Sequence, residues 1–241
     1  MPIISSVGKC FFCNVEYKKA GISKHLNTHL AKENKGEGNK TSFHIRIDYD
    51  PSMAGFFFLN LWVDGDSYLS DIDDFLRKIW LECCGHMSAF TNAKDGERYS
   101  MYEINDMESD MDDCMNSAIK NIFTKGTKLK YEYDSGNTTT LILKVLERLP
   151  VEVPGGIILL SRNEPLEIMC EVCKSAPAVT MCTTCYDPNT FCTKCAKKHA
   201  MKCEDFEEYS SLPVVNSPRM GICAYYGGTI DNQRDGVFVK K

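Results

Sequence analysis

The chain has 241 residues, a formal net charge of −5 and a hydrophobic fraction of 43%, which suit one sizeable globular core with small satellites. No apolar run approaches the roughly 18 residues of a membrane-spanning helix, and the N-terminus lacks a signal-peptide pattern. Thirteen cysteines would suggest disulfides in a secreted protein. Most of them, however, stand at metal-ligand spacing, so we expect a reducing cytoplasm and no membrane association.

The first predicted element is a zinc finger in residues 1–31. The spacing C-x2-C-x11-H-x3-H resembles that of the two-cysteine, two-histidine finger, with one residue fewer than usual between the second cysteine and the first histidine. The predicted ligands are Cys10, Cys13, His25 and His29. The two histidines would lie on one face of a helix, four residues apart.

Nucleic-acid binding by this finger is a separate hypothesis. Counted back from the first histidine, the base-reading positions would be Lys18, Gly21 and Lys24. A glycine offers no side chain to a base edge, and lysines mostly contact phosphate. Residues 1–41 carry seven lysines against three acidic residues, a net charge of +4. This charge favours weak electrostatic contact through Lys18 and Lys24, while a structural or protein-binding finger remains an equal alternative.

A polar linker at residues 32–41 separates the finger from a predicted domain at 42–150. Its expected elements are strands at Phe43–Asp50 and Phe56–Val63, a helix from Ser67 or Ser70 to about Cys83, strands at Ser88–Thr91 and Arg98–Tyr102, a helix at Met115–Phe123, and a hairpin of Leu129–Tyr133 with Thr138–Leu149. This order predicts an α+β fold, with a mostly antiparallel sheet, two helices on one face and small zinc-stabilised modules flanking it. A net charge of −8 over 42–150 makes the domain a poor nucleic-acid surface.

Two polar residues of this domain are candidates for chemistry. His86 follows the predicted first helix, and Asp134 stands in the predicted hairpin turn. If the fold joined them, they would form a general acid/base pair or a metal site. The simpler interpretation is that His86 caps the helix end and Asp134 closes its turn. The sequence contains no nucleophile elbow, phosphate-binding glycine loop or H-E-x-x-H motif, so we expect no catalysis.

After a connector at 151–168, residues 169–206 carry four regular ligand pairs. These are Cys170/Cys173, Cys182/Cys185, Cys192/Cys195 and His199/Cys203. Eight ligands make two closed tetrahedral zinc sites. We favour interleaved pairing, in which the first and third pairs share one ion and the second and fourth share another, although sequential pairing stays open. The spacing resembles that of cross-brace modules such as MYND fingers and B-boxes.

The last segment, 207–241, is expected to form a strap and tail that packs on a neighbouring surface. With nine cysteines assigned as ligands, the remaining four are Cys83, Cys84, Cys114 and Cys223. Their spacing is not that of a disulfide framework; Cys223 could replace a ligand in one site, but the eight-ligand count is complete without it. Three zinc ions per chain are therefore expected.

Three stretches resemble one prokaryotic family: WLECCGHMSAF at 80–90, KYEYDSGNTTTL at 130–141 and LPVVNSPRMGICAY at 212–225. It is the plasmid Ri open-reading-frame-three-like family, also labelled insertion-element passenger, TnpR-like. The resemblance covers about 42–150 well and 157–228 loosely. It implies an α+β fold and a mobile-element origin, and brings no established reaction. Ser135 and Asn137 replace the Phe and the last Asp of the family's Tyr-Asp-Phe-Gly-Asp pattern, so no role of that carboxylate is expected.

Together these features favour a zinc-binding interaction or adaptor protein with a protein partner, and with a nucleic-acid contact through the finger. A DNA-binding regulator linked to a mobile element is the first alternative. A metal-dependent hydrolase or nuclease that uses His86 and carboxylates is the second.

Overall fold

A computed structural model describes residues 6–33, 40–50, 55–100 and 115–236. Most of the predicted linker and the end of the tail lie outside these residues, as do Met101 and Tyr102 of one predicted strand. The chain divides into two compact units. The sheet unit comprises 6–75 and 86–163 in its described part, and the cysteine-rich unit comprises 76–85 and 164–236. The predicted α+β class is confirmed.

The sheet unit begins with a hairpin of β1 (Val7–Lys9) and β2 (Glu16–Lys18), followed by α1 (Lys19–Glu33). A seven-stranded sheet follows, in the order β6-β5-β7-β8-β3-β4-β9, and all of these pairings are antiparallel. Its strands are β3 (Ser42–Tyr49), β4 (Phe58–Asp64), β5 (Ser88–Asn92), β6 (Arg98–Ser100), β7 (Lys128–Tyr133), β8 (Thr139–Leu149) and β9 (Ile157–Arg162).

Two helices cover one face of this sheet, as predicted. They are α2 (Leu69–Leu76) and the short α3 (Ile119–Ile122). The Phe43 ring of β3 meets Phe123, at the end of α3, edge to face with centroids 5.5 Å apart. In α2 the Asp73 carboxylate accepts hydrogen bonds from the Tyr131 hydroxyl and the Ser88 hydroxyl, both at 2.6 Å. The apolar alternation along β3 therefore faces these helices.

The finger helix α1 packs on the opposite face of the sheet. Its residues Ile22, Leu26 and Leu30 are almost completely buried. They form one apolar cluster with sheet residues that include Phe58, Trp62, Leu149 and Leu160. Full burial of each such aliphatic side chain contributes about 1.5–3 kcal/mol. The finger is thus part of the sheet unit rather than a separate body on a linker.

Strand β9 lies within the segment expected to be a connector. Its sequence, IILLSR, lacks the alternation that indicates a half-buried strand. It pairs with β4 at the edge of the sheet, and the adjoining Asn163 bridges to Gly8 of β1. The strand therefore joins the finger hairpin to the sheet.

The cysteine-rich unit contains a small sheet in the order β11-β10-β12. Its elements are a π-helical turn (Arg77–Leu81), β10 (Thr180–Cys182), β11 (Thr190–Phe191), α4 (Thr193–Ala200), a second π-helical turn (Phe206–Ser210), β12 (Ser211–Pro213) and a 3-10 turn (Asn232–Arg234). The first predicted helix of the middle domain thus continues to Leu81 rather than Cys83, because Glu82 is extended.

The tail of this unit packs on the Arg77–Leu81 turn. The Ser217 hydroxyl donates to the Trp80 carbonyl at 2.7 Å, and the Thr229 N–H donates to the Lys78 carbonyl at 2.7 Å. A side chain at Gly228 would lie 2.6 Å from the Ile79 carbonyl oxygen, so the contact requires glycine there. Across the described parts of the chain, every helix is too short or too polar to cross a membrane.

Candidate metal centres

The finger brings its four predicted ligands together. Cys10 and Cys13 lie between β1 and β2, where Asn14 has a positive φ of 58° and its N–H donates to the Cys10 carbonyl at 2.8 Å. His25 and His29 lie one turn apart on α1. The four ligand atoms are all within 4.8 Å of one another. Cys13 Sγ is 3.3 Å from His25 Nε2, and the two Nε2 atoms are 3.2 Å apart. This group could hold one metal ion.

Aromatic rings fix the orientation of both imidazoles. Tyr17 stacks on His25 with centroids 4.0 Å apart, and Phe12 stacks on His29 at 5.0 Å. Burial, and then the neighbouring His29, lower the pKa of His25. The neutral imidazole is the form that coordinates a metal, so the environment favours the ligating state.

A polar network fastens the other side of α1 to the sheet. The Ser23 hydroxyl donates to Asn60 Oδ1 at 2.7 Å, and Arg46 Nη1 donates to the Ser23 hydroxyl at 2.9 Å. The His44 ring contacts the side-chain oxygens of Asn27 at 2.5 Å and Asn60 at 3.1 Å. These polar contacts hold α1 against β3 and β4 through side chains that docking shields from water.

The two lysines proposed to contact nucleic acid remain exposed. Lys18, at the end of β2, and Lys24, on α1, both have exposed side chains. Lys19 differs, because its ammonium group is 2.9 Å from Asp48 and donates to the Gly55 carbonyl. Docking therefore occupies one lysine of the finger and leaves the two predicted positions available.

The first group of the cysteine-rich unit joins the first and third ligand pairs: Cys170, Cys173, Cys192 and Cys195. Cys173 Sγ and Cys192 Sγ are 3.8 Å apart. That distance matches the edge of a tetrahedron whose metal–sulfur bonds are about 2.3 Å long. The first pair lies on a turn in which the Lys174 N–H donates to the Cys170 carbonyl at 2.8 Å. The third pair lies at the start of α4, with Cys192 as the residue before it.

The second group joins the remaining pairs: Cys182, Cys185, His199 and Cys203. Cys185 Sγ is 3.7 Å from His199 Nε2, and the His199 ring stacks on Phe191 with centroids 4.3 Å apart. The structure therefore groups the eight ligands in the interleaved arrangement. Helix α4 carries ligands of both groups, which explains how so short a segment forms one small core.

The thiols of these two groups have strongly shifted pKa values. Burial, and then Cys192 and Cys170, raise the pKa of Cys195 to about 12, and the neighbouring Cys182 and burial raise that of Cys185 to about 11. Although burial opposes it, hydrogen bonds from Ser210 and Thr184 lower the pKa of Cys182 to about 5. Crowded thiols resist joint ionisation, and a dication removes that resistance. The donor sets therefore fit a thiophilic cation.

Three cysteines without a predicted role also come together. The Sγ atoms of Cys83, Cys84 and Cys223 all lie within 4.8 Å of one another in the cysteine-rich unit. Spacing along the chain does not reveal this group, because Cys223 is 139 residues from Cys84. The adjacent Cys83–Cys84 pair is the signal that could have drawn attention to them. Cys223 belongs to neither of the two four-ligand groups above, and Cys114 lies outside the described residues.

His86 and Asp134 are neighbours in the sheet unit. His86 Nδ1 is 3.6 Å from Asp134 Oδ1, and its ring meets Tyr133 edge to face. Asp134 is buried, has a positive φ of 67° and accepts a hydrogen bond from the Gly136 N–H at 2.9 Å. The carboxylate therefore closes its turn, as the simpler interpretation predicts, and also faces the imidazole.

Comparisons with known proteins give little further guidance. No family model matches the chain, and no curated protein matches it. One similar solved structure is that of MM3350, a protein of unknown function from Methanosarcina mazei Go1. It is 15% identical, with a TM-score of 0.40, and the match covers 52% of this chain and 68% of that one.

Proposed function

We propose that this protein is a zinc-binding interaction protein whose metal ions stabilise surfaces that contact other macromolecules. The observation that carries this proposal is the completeness of three Cys/His groups, each with four protein ligands within 4.8 Å. A tetrahedral zinc ion in such a group has no position left for a catalytic water. The metals then serve structure, and we expect three zinc ions in these groups and no catalysis at any of them.

Metal content tests the first half of the proposal. Native mass spectrometry of the full chain should show at least three zinc ions. Single variants of ligands in the three groups, Cys13→Ser, Cys173→Ser and Cys185→Ser, should each lose one ion. Two or fewer zinc ions in the unaltered protein would contradict the ligand assignment.

Exposed apolar side chains on the cysteine-rich unit favour a protein partner. Tyr186 is 96% exposed and Met201 is 79% exposed, and Val172 and Tyr209 are more than half exposed. Tyr and Met are enriched in protein interfaces. Tyr186 lies between the second and third ligand pairs, so bound metal would hold its loop in place. We therefore place the main protein contact on this unit.

Crosslinking followed by mass spectrometry tests that placement. A specific partner should crosslink to the unaltered protein, and Tyr186→Ala with Met201→Ala should reduce the yield severalfold. Tyr68→Ala is the matched control, because Tyr68 is an exposed tyrosine of the sheet unit. Equal losses in both variants would refute the assignment of the contact to the cysteine-rich unit.

A nucleic-acid contact through the finger is the second candidate. It is favoured by the exposure of Lys18 and Lys24 beside a metal group. Two phosphate contacts on duplex DNA predict a salt slope near −2 in log affinity against log salt, from about −0.9 per phosphate. Lys18→Ala with Lys24→Ala should abolish most of that slope, whereas Lys19→Ala should change it little because Lys19 pairs with Asp48. A slope unaffected by the pair would exclude the finger as the site.

A further inference from the structure

Cys83, Cys84 and Cys223 form a thiol cluster, which we call the three-cysteine cluster, at the end of the Arg77–Leu81 turn. Cys84 and Cys223 are exposed, and Cys83 is partly buried. Cys84 Sγ is 3.5 Å from Cys223 Sγ. A disulfide requires about 2.05 Å between the sulfurs, whereas thiolates on one zinc ion stand about 3.8 Å apart, given bonds of about 2.3 Å. The spacing is close to that of shared ligands.

A buried arginine supports this cluster. Arg219 is completely buried, and its Nη2 atom lies 3.6 Å from Cys83 Sγ. The Arg219 N–H donates to the Ser217 hydroxyl at 2.9 Å, and that hydroxyl donates to the Trp80 carbonyl at 2.7 Å. This chain of bonds ties the tail to the segment that carries Cys83. It brings together cysteines that are 139 residues apart in sequence.

The backbone at Cys223 indicates that its orientation matters. Its φ is +53°, in the left-handed region that is unfavourable for a residue other than glycine. Gly221, two residues earlier, has a φ of +77°, and a side chain there would lie 2.6 Å from the Met181 methyl carbon. Strain of this kind concentrates at functional positions. Here it accompanies a thiol placed beside two others.

We propose that Cys83, Cys84 and Cys223 bind a further zinc ion, in addition to those of the three four-ligand groups. Three thiolates on Zn²⁺ carry a net charge of −1, and the guanidinium of Arg219 offsets it. A water molecule would complete the coordination as the fourth ligand. Each thiol loses its proton to solvent when the metal binds. This site differs from the others because its ligands come from two distant segments, so its metal would clamp the tail onto the Arg77–Leu81 turn.

Metal counting tests the proposal on the full chain. Cys84→Ser with Cys223→Ser should contain one zinc ion fewer than the unaltered protein by native mass spectrometry. Tyr226→Ala, a change at an exposed tyrosine of the same tail, should contain the same number. Loss of ions from the three four-ligand groups would appear in their own single variants, so failure of this site and failure of the proposed function are distinguishable. An equal count in the double variant would overturn the proposal.

Thiol protection gives a second measurement that needs no variant. The protein is treated with a phosphine reductant and then alkylated, and the modified cysteines are mapped by mass spectrometry. Although exposed, Cys84 and Cys223 should react at least tenfold more slowly than after chelation. Rapid alkylation before chelation would overturn the proposal. So would protection that disappears with the reductant alone, since that result indicates a disulfide.

Discussion

Protonation of His44 should loosen the finger from the sheet. The side chain is buried on β3 and contacts the amide oxygens of Asn27 and Asn60. The pKa of His44 is lowered from 6.5 to about 4. Burial is the largest cause and Arg46 adds to it, while Asn60 and Glu147 partly oppose the shift. The unfolded chain therefore binds a proton below about pH 6.5, while the folded protein stays neutral until about pH 4. Stability is fully present above pH 6.5 and is lost as the pH falls through this window.

The magnitude follows from the size of the shift. About 2.5 pKa units at 1.36 kcal/mol each give a loss of about 3 kcal/mol by pH 4. Urea unfolding at several pH values measures it, in the unaltered protein and in His44→Gln. Glutamine does not titrate but retains an amide donor for the neighbouring oxygens.

The comparison of these two proteins removes the contribution of the candidate metal ligands, whose protonation would weaken metal binding equally in both. The difference in unfolding free energy between them should shrink by about 3 kcal/mol from pH 7 to pH 4. A difference that stays constant across this range would show that His44 is protonated or exposed in the folded protein, and the buried docking surface would be wrong.

Three further perturbations test the architecture. Gly8→Ala should destabilise the sheet unit, because a Cβ at this position would lie 2.7 Å from the Arg162 carbonyl oxygen. In Gly21→Ala the new Cβ meets nothing within 4 Å, so this variant should stabilise α1 by up to about 1 kcal/mol. Equal shifts in melting temperature for the two variants would refute the close approach at Gly8. Metal chelation should unfold the cysteine-rich unit, since structural zinc supplies on the order of 10–16 kcal/mol of apparent binding energy. The seven-stranded sheet should remain folded, as measured by far-UV circular dichroism. Complete loss of the strand signal would contradict this expectation. His86→Ala should leave nucleic-acid binding unchanged, and abolition of a measurable hydrolytic activity by this variant would favour the enzyme alternative.

Local spacing was enough to predict much of this protein. The C-x2-C pairs and the histidines four residues apart place ligands on single turns and helix faces, and such relations depend only on short-range geometry. The order of strands and helices in the middle domain follows from apolar periodicity in the same way. The same spacing favours interleaved pairing without determining it, because the short loops between pairs permit sequential pairing as well.

The docking of the finger could not be predicted by the same reasoning. In the sequence, Ser23 and Asn27 are ordinary polar residues of a helix surface. Only the folded structure shows that Ser23 contacts Asn60 of β4 and that Asn27 contacts His44 of β3. The three-cysteine cluster depends likewise on a contact across 139 residues. Strand β9 was missed for a different reason. Its apolar run gives no period-two signal, and only its position beside β4 identifies it as an edge strand.

Docking limits what the finger can do, because α1 has three sides and two are occupied. His25 and His29 face the metal group, and Ile22, Leu26 and Leu30 face the sheet. Only the remaining side of α1, with the exposed Lys24, and the exposed Lys18 at the end of β2 are left for another molecule. Two phosphate contacts, at a slope of about −0.9 each, lose about 3.5-fold in affinity for each doubling of the salt concentration, so they cannot support tight binding alone. Under the proposed function, specificity would then come from a protein contact on the cysteine-rich unit, and the finger would add at most a weak, salt-sensitive attraction.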